Sequence, residues 1–279
     1  MRVLYLDCFS GISGDMTVAA LVDAGADRDY IEGELAKIKL EPYTLTWKRV
    51  VKCGVSSLKF NVELDPEHPP VHHRHYSEIV KLISQAGFND RVASMSLALF
   101  EVIGQAEAKI HNIPLDKVHF HEVGAIDSIV DIIAASLALD SLKIDRIFVS
   151  PVPLGSGTVK CGHGFYPIPA PATLEIMKGV PIAPTEHRKE MTTPTGAAIV
   201  SVLAHDFMEG LPPMVVEAIG YGAGTRDFPQ QPNVLRAVIG RMENKTSGLF
   251  PLAQKHGHHH HGHHHHHHDH DHEHDHHDH

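Results

Sequence analysis

The sequence has 279 residues, long enough for one large domain or two moderate ones with a substantial buried core. Hydrophobic residues make up 42% and charged residues 21%, as is typical of a globular protein, but 17 of the 27 histidines lie in residues 256–279 together with five acidic residues. In the rest of the chain, 29 acidic side chains oppose 24 basic ones. This balance argues against nucleic acid or an anionic membrane as the main partner.

The cysteines and the N-terminal segment favour the cytoplasm. Cys8, Cys53 and Cys161 are far apart and form no C-x-x-C pair, so they indicate neither a disulfide framework nor a thiolate zinc site. The chain starts without the long apolar segment of a signal peptide, and no run approaches the ~18 apolar residues that span a bilayer. We therefore expect a cytoplasmic protein that is neither secreted nor inserted in a membrane.

The first half of the chain predicts a buried strand, a glycine loop and a helix, then a hairpin around Cys53-Gly54 and further helices. Apolar spacing and glycine or proline breaks set the expected boundaries. The predicted strands are residues 3–6, 44–51 and 55–64, and the predicted helices are residues 16–24, 28–39, 77–85 and 90–110.

The second half mixes helices and strands in the same way. Ile126, Val130, Ile133 and Leu137 recur at helical spacing, which predicts a helix over residues 126–139. Residues 151–171 are expected to be rich in loops. The other predicted elements are a strand ending at Val149, helices at residues 172–179 and 194–204, and strands at residues 214–221 and 234–241.

This mixture indicates an α/β or α+β fold in which sheet elements pack against helices, without an internal repeat. We expect residues 1–255 to form the folded body. Residues 256–279 contain no apolar side chain with which to form a core, so we expect them to be a disordered metal-binding tail.

The tail is the plainest chemical signal. Neutral imidazoles suit nickel, copper, zinc and cobalt, and the neighbouring carboxylates add ligands. A purification tag is the alternative, because residues 263–268 are six consecutive histidines, although a tag rarely continues with alternating Asp and His. The candidate tail ligands are His258, His259, His260, His261, His263, His264, His265, His266, His267, His268, His270, His272 and His274.

A second candidate metal site lies in the body. If the segment that begins at Val118 is extended, His119 and His121 point to the same side, and Asp127 and Asp131 share a helical face. These four side chains are the candidate metal ligands of the body. With Glu122, the two histidines are also candidates for a general base. The alternative is a pair of surface histidines beside a helix N-terminus whose early acids favour the helix dipole.

Two further motifs remain open. His68, His72, His73 and His75 lie in a proline-rich connection that is expected to be a solvated loop, and they are also placed to pass metal inward from the tail. Residues 10–15 connect a strand to a helix N-terminus, where α/β proteins commonly bind ligands.

In residues 10–15, backbone N–H groups near Gly11 and Gly14 are candidates for binding a phosphate. Asp7 and Asp15 are alternative cation ligands, and a plain tight turn is a third interpretation. Three other segments, residues 192–196, 155–164 and 220–227, are candidate cradle or pocket walls, although capping and turns explain them without a ligand.

Taken together, these motifs resemble the LarC family. The resemblance rests on DCFSGISGDM at 7–16, HFHEVGAIDSIVDI at 119–132, PVPLGSGTVKCGHGFYPIPAPAT at 151–173, TPTGAA at 193–198 and GYGAGTRDFPQQPNVLR at 220–236. It covers essentially the whole body, and the histidine-rich segment also fits.

The resemblance implies a lyase-class nickel insertion enzyme. Members place nickel into pyridinium-3,5-bisthiocarboxylic acid mononucleotide, which makes the nickel-pincer cofactor of lactate racemase. The metal becomes bound to two sulfurs and to a ring carbon, so a ring proton must leave and a base must accept it. His119, His121 and Glu122 are our candidates for this task, and Gly11, Ser13 and Gly14 for the substrate phosphate.

The family pattern also implies a nucleotide and a partner. Full-length members continue into a C-terminal domain that binds CTP with Mn or Mg, whereas this chain stops in the histidine-rich segment. We therefore expect the nucleotide site to be absent here, and a longer family product, in a homo-oligomer or mixed oligomer, to complete the reaction. The alternative functions are a non-catalytic nickel store or chaperone and a metal-dependent phosphate-ester hydrolase.

Overall fold

A mixed seven-stranded β-sheet forms the framework of the protein in the computed structural model, which describes residues 1–67, 74–120, 125–161 and 164–243. In chain order, the strands are β1 Arg2–Asp7, β2 Tyr43–Lys52, β3 Val55–Leu64, β4 Arg146–Val149, β5 Val152–Pro153, β6 Thr158–Cys161, β7 Gly164–Pro167, β8 Ile182–Ala183, β9 Asp206–Phe207, β10 Val215–Ala223 and β11 Val234–Arg241. The main sheet has the order β2-β3-β10-β11-β1-β4-β9, and β5-β8 and β6-β7 form two small sheets. β1 runs parallel to β4 and antiparallel to β11.

Helices cover one face of this sheet. In the described part of the chain they are α1 Gly14–Asp23, α2 Arg28–Leu35, α3 Tyr76–Gln85, α4 Asp90–His111, α5 Ile126–Ser141, α6 Pro171–Ile176 and α7 Pro194–Leu203, with a 3₁₀ turn at Leu115–Lys117. Alternation along β1 sends Leu4 and Leu6 into the core shared with the helices, while Val3 and Tyr5 pack on the opposite face. Contacts group Met1–Asn244 into one compact unit.

Two glycines bring α1 onto the sheet. Gly220 and Gly222 lie on β10, and a Cβ atom at either position would overlap the backbone of α1, at Ala20 and Met16 respectively. Only glycine permits this approach. The contact fixes the position of α1, whose first turn forms part of the site described below.

The structure confirms the α/β fold class and most of the predicted elements. The hairpin turn has positive φ at both central residues, Cys53 and Gly54, as a type I′ turn requires. The expectation of a helix to residue 39 is wrong, because α2 ends at Leu35 and a tighter turn follows. The loop-rich segment 151–171 contains the short strands β5, β6 and β7, which the sequence did not indicate.

Candidate functional site

The N-terminal ends of three helices, α1, α5 and α7, meet at a cavity of about 410 Å³. Strand β3 and the turn after β10 close its other walls. The lining residues are Ser13, Gly14, Asp15, Lys59, Phe60, Asn61, Val62, Asp127, Ser128, Asp131, Glu190, Thr193, Pro194, Thr195 and Thr225. Helix N-termini carry partial positive charge and free N–H groups, so the cavity combines anion-attracting backbone with acidic side chains.

The loops that lead into α1 and α7 lie side by side. Ile12 and Thr192 form an isolated β-bridge, in which the Ile12 N–H donates to Met191 and the Thr193 N–H donates to Ile12. In the first turn of α7, Gly196 is required because a Cβ atom there would overlap the Ile12 carbonyl. Thr193 caps this helix, since its Oγ1 accepts from the Gly196 N–H at 3.2 Å. The two helices therefore begin at a fixed position relative to each other.

An ion pair crosses the cavity between α1 and β3. The Lys59 ammonium donates to Asp15 Oδ2 and also to Thr225 Oγ1, the latter at 2.9 Å. The Ser13 hydroxyl donates to the other oxygen of Asp15. Lys59 is only 9% exposed. A lysine this buried requires a charged partner, because removing its ammonium from water is costly.

Helix α5 turns its accessible polar residues toward the same cavity. From Ile126 to Asp140 every residue of α5 is buried except Asp127, Ser128 and Asp131. These three residues line the cavity. A helix that is otherwise embedded in the core thus presents two carboxylates at the point where it begins.

Asp131 has the most perturbed acidity among the described carboxylates. Loss of solvent around its carboxyl group, and then the negative charges of Asp15 and Asp127, raise the pKa of Asp131 well above its usual range, while Lys59 opposes this shift. The carboxylate also packs against Gly14, where a Cβ atom would come within 2.7 Å of Asp131 Oδ2. Perturbed carboxyl groups in cavities are typical of functional sites.

The structure does not place His119 in the lining of the cavity. His119 is exposed and forms an isolated antiparallel bridge with His75, and the centroids of their rings are 3.6 Å apart. His121 and Glu122 lie outside the described residues, as do His68, His72, His73 and the histidine-rich tail. Of the four predicted body ligands, the structure therefore brings together Asp127 and Asp131.

The predicted phosphate residues divide in two. Ser13 and Gly14 line the cavity, whereas Gly11 is buried, its N–H donates to the Cys8 carbonyl at 2.7 Å, and a Cβ atom there would overlap Met191. The geometry gives Gly11 a role in packing. The alternative cation ligand Asp7 instead forms an ion pair with Arg236.

The described part of the chain contains no assembled set of metal ligands. Within those residues, no group of three or more His, Cys, Asp or Glu side chains is arranged to hold a metal ion. Burial raises the pKa of Cys8 far above its ordinary value, so this thiol stays protonated and is a poor metal ligand. Cys53 is exposed and lies at the hairpin turn.

Sequence reasoning missed Lys59 and reached Thr225 only as part of the candidate pocket wall at residues 220–227. Lys59 lies within a strand of ordinary composition, so it belongs to no pattern that marks a site. Lys59 is 44 residues from Asp15 and 166 residues from Thr225 along the chain, so these contacts depend on long-range folding. A lysine on a strand that leads into the core was the one local signal.

Comparisons with known proteins relate this chain to nickel insertion proteins. The model of the family described as "Nickel insertion protein" matches residues 4–274. A pyridinium-3,5-bisthiocarboxylic acid mononucleotide nickel insertion protein from Geobacillus kaustophilus is 53% identical over 254 residues, which are 88% of this chain and 62% of the relative. A protein of the same name from Staphylococcus epidermidis is 46% identical over 85% of this chain and 59% of its own length.

A third relative, a putative nickel insertion protein from Geotalea uraniireducens, is 47% identical over 86% of this chain and 61% of its own length. The chain thus spans about three fifths of these curated relatives. No solved structure matches it. Among the described helices, none is both long and apolar enough to cross a membrane. The family match over most of the chain shows that it belongs to the nickel insertion proteins.

Proposed function

We propose that this chain inserts Ni²⁺ into pyridinium-3,5-bisthiocarboxylic acid mononucleotide and that insertion takes place in the cavity at the start of α1, α5 and α7. The observation that carries the proposal is the set of four carboxylates and one ammonium in this cavity, in a chain of the nickel insertion family. Two of the relatives described above carry the name of this substrate. A mononucleotide brings a phosphate, for which helix N-termini are suited.

Nickel insertion requires that the protein bind the metal weakly and that a base accept a proton. In the proposed product, two sulfurs and a ring carbon of the substrate bind nickel, so the protein needs only one or two transient ligands. Asp127 and Asp131 fit this role, and His119 and His121 remain candidate ligands. When the nickel–carbon bond forms, the ring C–H bond breaks and its proton passes to a base. Asp131 joins His119, His121 and Glu122 as a candidate for that base.

The remaining assignments extend this proposal. The imidazoles of the tail act as a nickel reservoir that raises the metal concentration near the body. The reaction takes place in the cytoplasm and uses CTP with Mn²⁺ or Mg²⁺. A longer family product is a partner, in a homo-oligomer or mixed oligomer. The proposed enzyme class is lyase.

Asp131→Asn tests the cavity because it keeps the size of the side chain and removes its charge. The full chain, supplied with Ni²⁺, CTP, Mg²⁺ and the mononucleotide, should form the nickel-bearing product, which mass spectrometry detects. We expect Asp131→Asn to slow product formation by about 100-fold or more, as is usual for loss of a general base.

The matched control is Asp116→Asn, since the side chain of Asp116 is 70% exposed and contacts only Lys117 among its recorded ion pairs. This variant should insert nickel at the wild-type rate. A wild-type rate in Asp131→Asn contradicts the cavity assignment. If the wild-type chain binds nickel but forms no product, insertion by this chain alone is wrong, and nickel storage or delivery to the longer partner is the better description.

A further inference from the structure

The site consists of two adjoining cavities that share a wall. The second cavity has a volume of about 290 Å³. The residues that line both are Ser13, Asp15, Glu190, Thr193 and Thr225. The two cavities therefore adjoin each other at these residues.

Lys59 lies at this shared wall. Its ammonium contacts Asp15 and Thr225, both of which line the two cavities. The ion pair joins a side chain that is 11% exposed to one that is 23% exposed, so solvent screens it only partly. The positive charge of Lys59 therefore acts at close range on any ion that enters either cavity.

The charged groups around Lys59 create a competition. Asp127 and Asp131 face the first cavity, and Glu190, whose carboxylate lies 3.5 Å from Arg226, faces both. A divalent cation near these acids is attracted by Asp15 and repelled by the Lys59 ammonium. As long as the Lys59 ammonium pairs with the Asp15 carboxylate, it competes with a metal ion for that carboxylate.

We propose that Lys59 binds an anionic group of the substrate and thereby frees Asp15 for the incoming metal ion. This inference rests on the proposed function and identifies how the same site couples its two substrates. The anion takes over hydrogen bonds that the ammonium now donates to Asp15 and Thr225. Substrate and metal then bind cooperatively, and each raises the affinity for the other by the same factor.

The shared chemistry of the ligand is a negative charge carried on oxygen or sulfur. In the mononucleotide this charge has two sources, the phosphate and the two acid groups on the pyridinium ring. Two probes separate them. Ribose 5-phosphate presents only the phosphate end, and pyridine-3,5-dicarboxylate presents only the acid groups of the ring.

The experiment measures cation binding to the full chain with Mn²⁺, because Mn²⁺ prefers oxygen ligands and the histidine-rich tail prefers other metals. Electron paramagnetic resonance of free Mn²⁺ gives the dissociation constant with and without each probe. Lys59→Met is expected to bind Mn²⁺ about tenfold more tightly in the absence of probe, since a nearby positive charge is removed. At least one probe should increase Mn²⁺ affinity severalfold in the wild type and leave Lys59→Met unchanged.

Two further variants serve as controls. Lys48 lies opposite Lys59 in the β2–β3 register but is exposed, so Lys48→Met removes the same charge outside the cavity. It should change Mn²⁺ affinity by less than about twofold because water and salt screen it. Lys59→Arg keeps the charge and should keep the coupling, which shows that an effect of Lys59→Met does not reflect a damaged fold.

The outcomes are decisive. Equal Mn²⁺ affinity in the wild type, Lys59→Met and Lys48→Met overturns the proposal. Weaker Mn²⁺ binding in Lys59→Met also overturns it. So does a Lys59→Met variant whose Mn²⁺ affinity still increases when a probe is added. Absence of Mn²⁺ binding in every variant overturns it as well. If nickel-bearing product forms while this coupling is absent, insertion stands and only the role of Lys59 falls.

Discussion

Gly14 makes a close contact with Asp131, and replacing it tests whether this contact shapes the cavity. A Cβ atom at Gly14 would lie 2.6 Å from Asp131 Cβ and 2.7 Å from its Oδ2. Carbon atoms in contact are normally about 3.5–4.0 Å apart. Because Asp131 Cβ cannot rotate away from its own backbone, Gly14→Ala must push α1 from α5 or displace the carboxylate.

The magnitude follows from two opposing effects. Inserting a methyl group into a packed site costs about 1–3 kcal/mol. Alanine is better than glycine in a helix by about 0.5–1 kcal/mol. We therefore expect Gly14→Ala to lower the free energy of unfolding by about 1–2 kcal/mol, which corresponds to a fall of about 2–8 °C in the melting temperature of a chain of this size.

Gly33→Ala is the matched control, because Gly33 is exposed in α2 and has no atom within 4 Å of the new Cβ. It should stabilise the protein by about 0.5–1 kcal/mol. Urea unfolding measures both variants, and the insertion assay measures the site. Gly14→Ala should also lose most of its product formation, because the carboxylate of Asp131 is displaced. A Gly14→Ala variant as stable and as active as the wild type refutes this account of the contact.

Two other substitutions test the packing of α1 and a buried carboxylate. Gly222→Ala should destabilise the protein by about 3 kcal/mol, because the methyl group overlaps the backbone of α1; thermal unfolding that shows no loss contradicts the close packing of α1 on β10. Asp140→Asn should cost about 1–2 kcal/mol at pH 7. Although burial raises the pKa of Asp140, hydrogen bonds from Asn89 and Tyr30 lower it below its ordinary value overall. A lowered folded pKa gives stability that is present at neutral pH and lost as the pH falls through about 4 and below. Urea unfolding between pH 7 and 3 should therefore show a smaller acid-induced loss in Asp140→Asn, and equal losses argue against this contribution.

Elements whose signals are local were predictable from the sequence. The hairpin turn needs positive φ at two adjacent residues, and Gly54 provides one of them most readily. α4 and α7 begin after Asn89 and Thr193, whose side chains cap them and are residue types typical of this position. The two-residue strands β5 and β8 were not predictable, because each exists only through pairing with the other, as between Val152 and Ile182.

In the site, too, the residues with a local sequence signal were predictable and the others were not. Helical spacing placed Asp127 and Asp131 on a common face, and both line the cavity. The glycine motifs gave less information about the site. A glycine at a close contact between backbones cannot be distinguished in the sequence from a glycine that approaches a ligand. Gly220 and Gly222 pack against α1, whereas Thr225, a few residues later, lines the site. The position of Lys59 in the cavity depends entirely on contacts between distant parts of the sequence.

The two proposed sets of metal donors differ in chemistry, and this difference bears on the direction of nickel transfer. The tail sequence offers imidazoles, which suit Ni²⁺, whereas the cavity presents carboxylate oxygens, which suit harder cations. In the proposed reaction the substrate finally binds nickel through two sulfurs and a carbon. A site that releases metal to its substrate must bind it less strongly than the product does. Carboxylate oxygens meet this requirement, because Ni²⁺ binds them less strongly than it binds the sulfurs and the carbon of the proposed product.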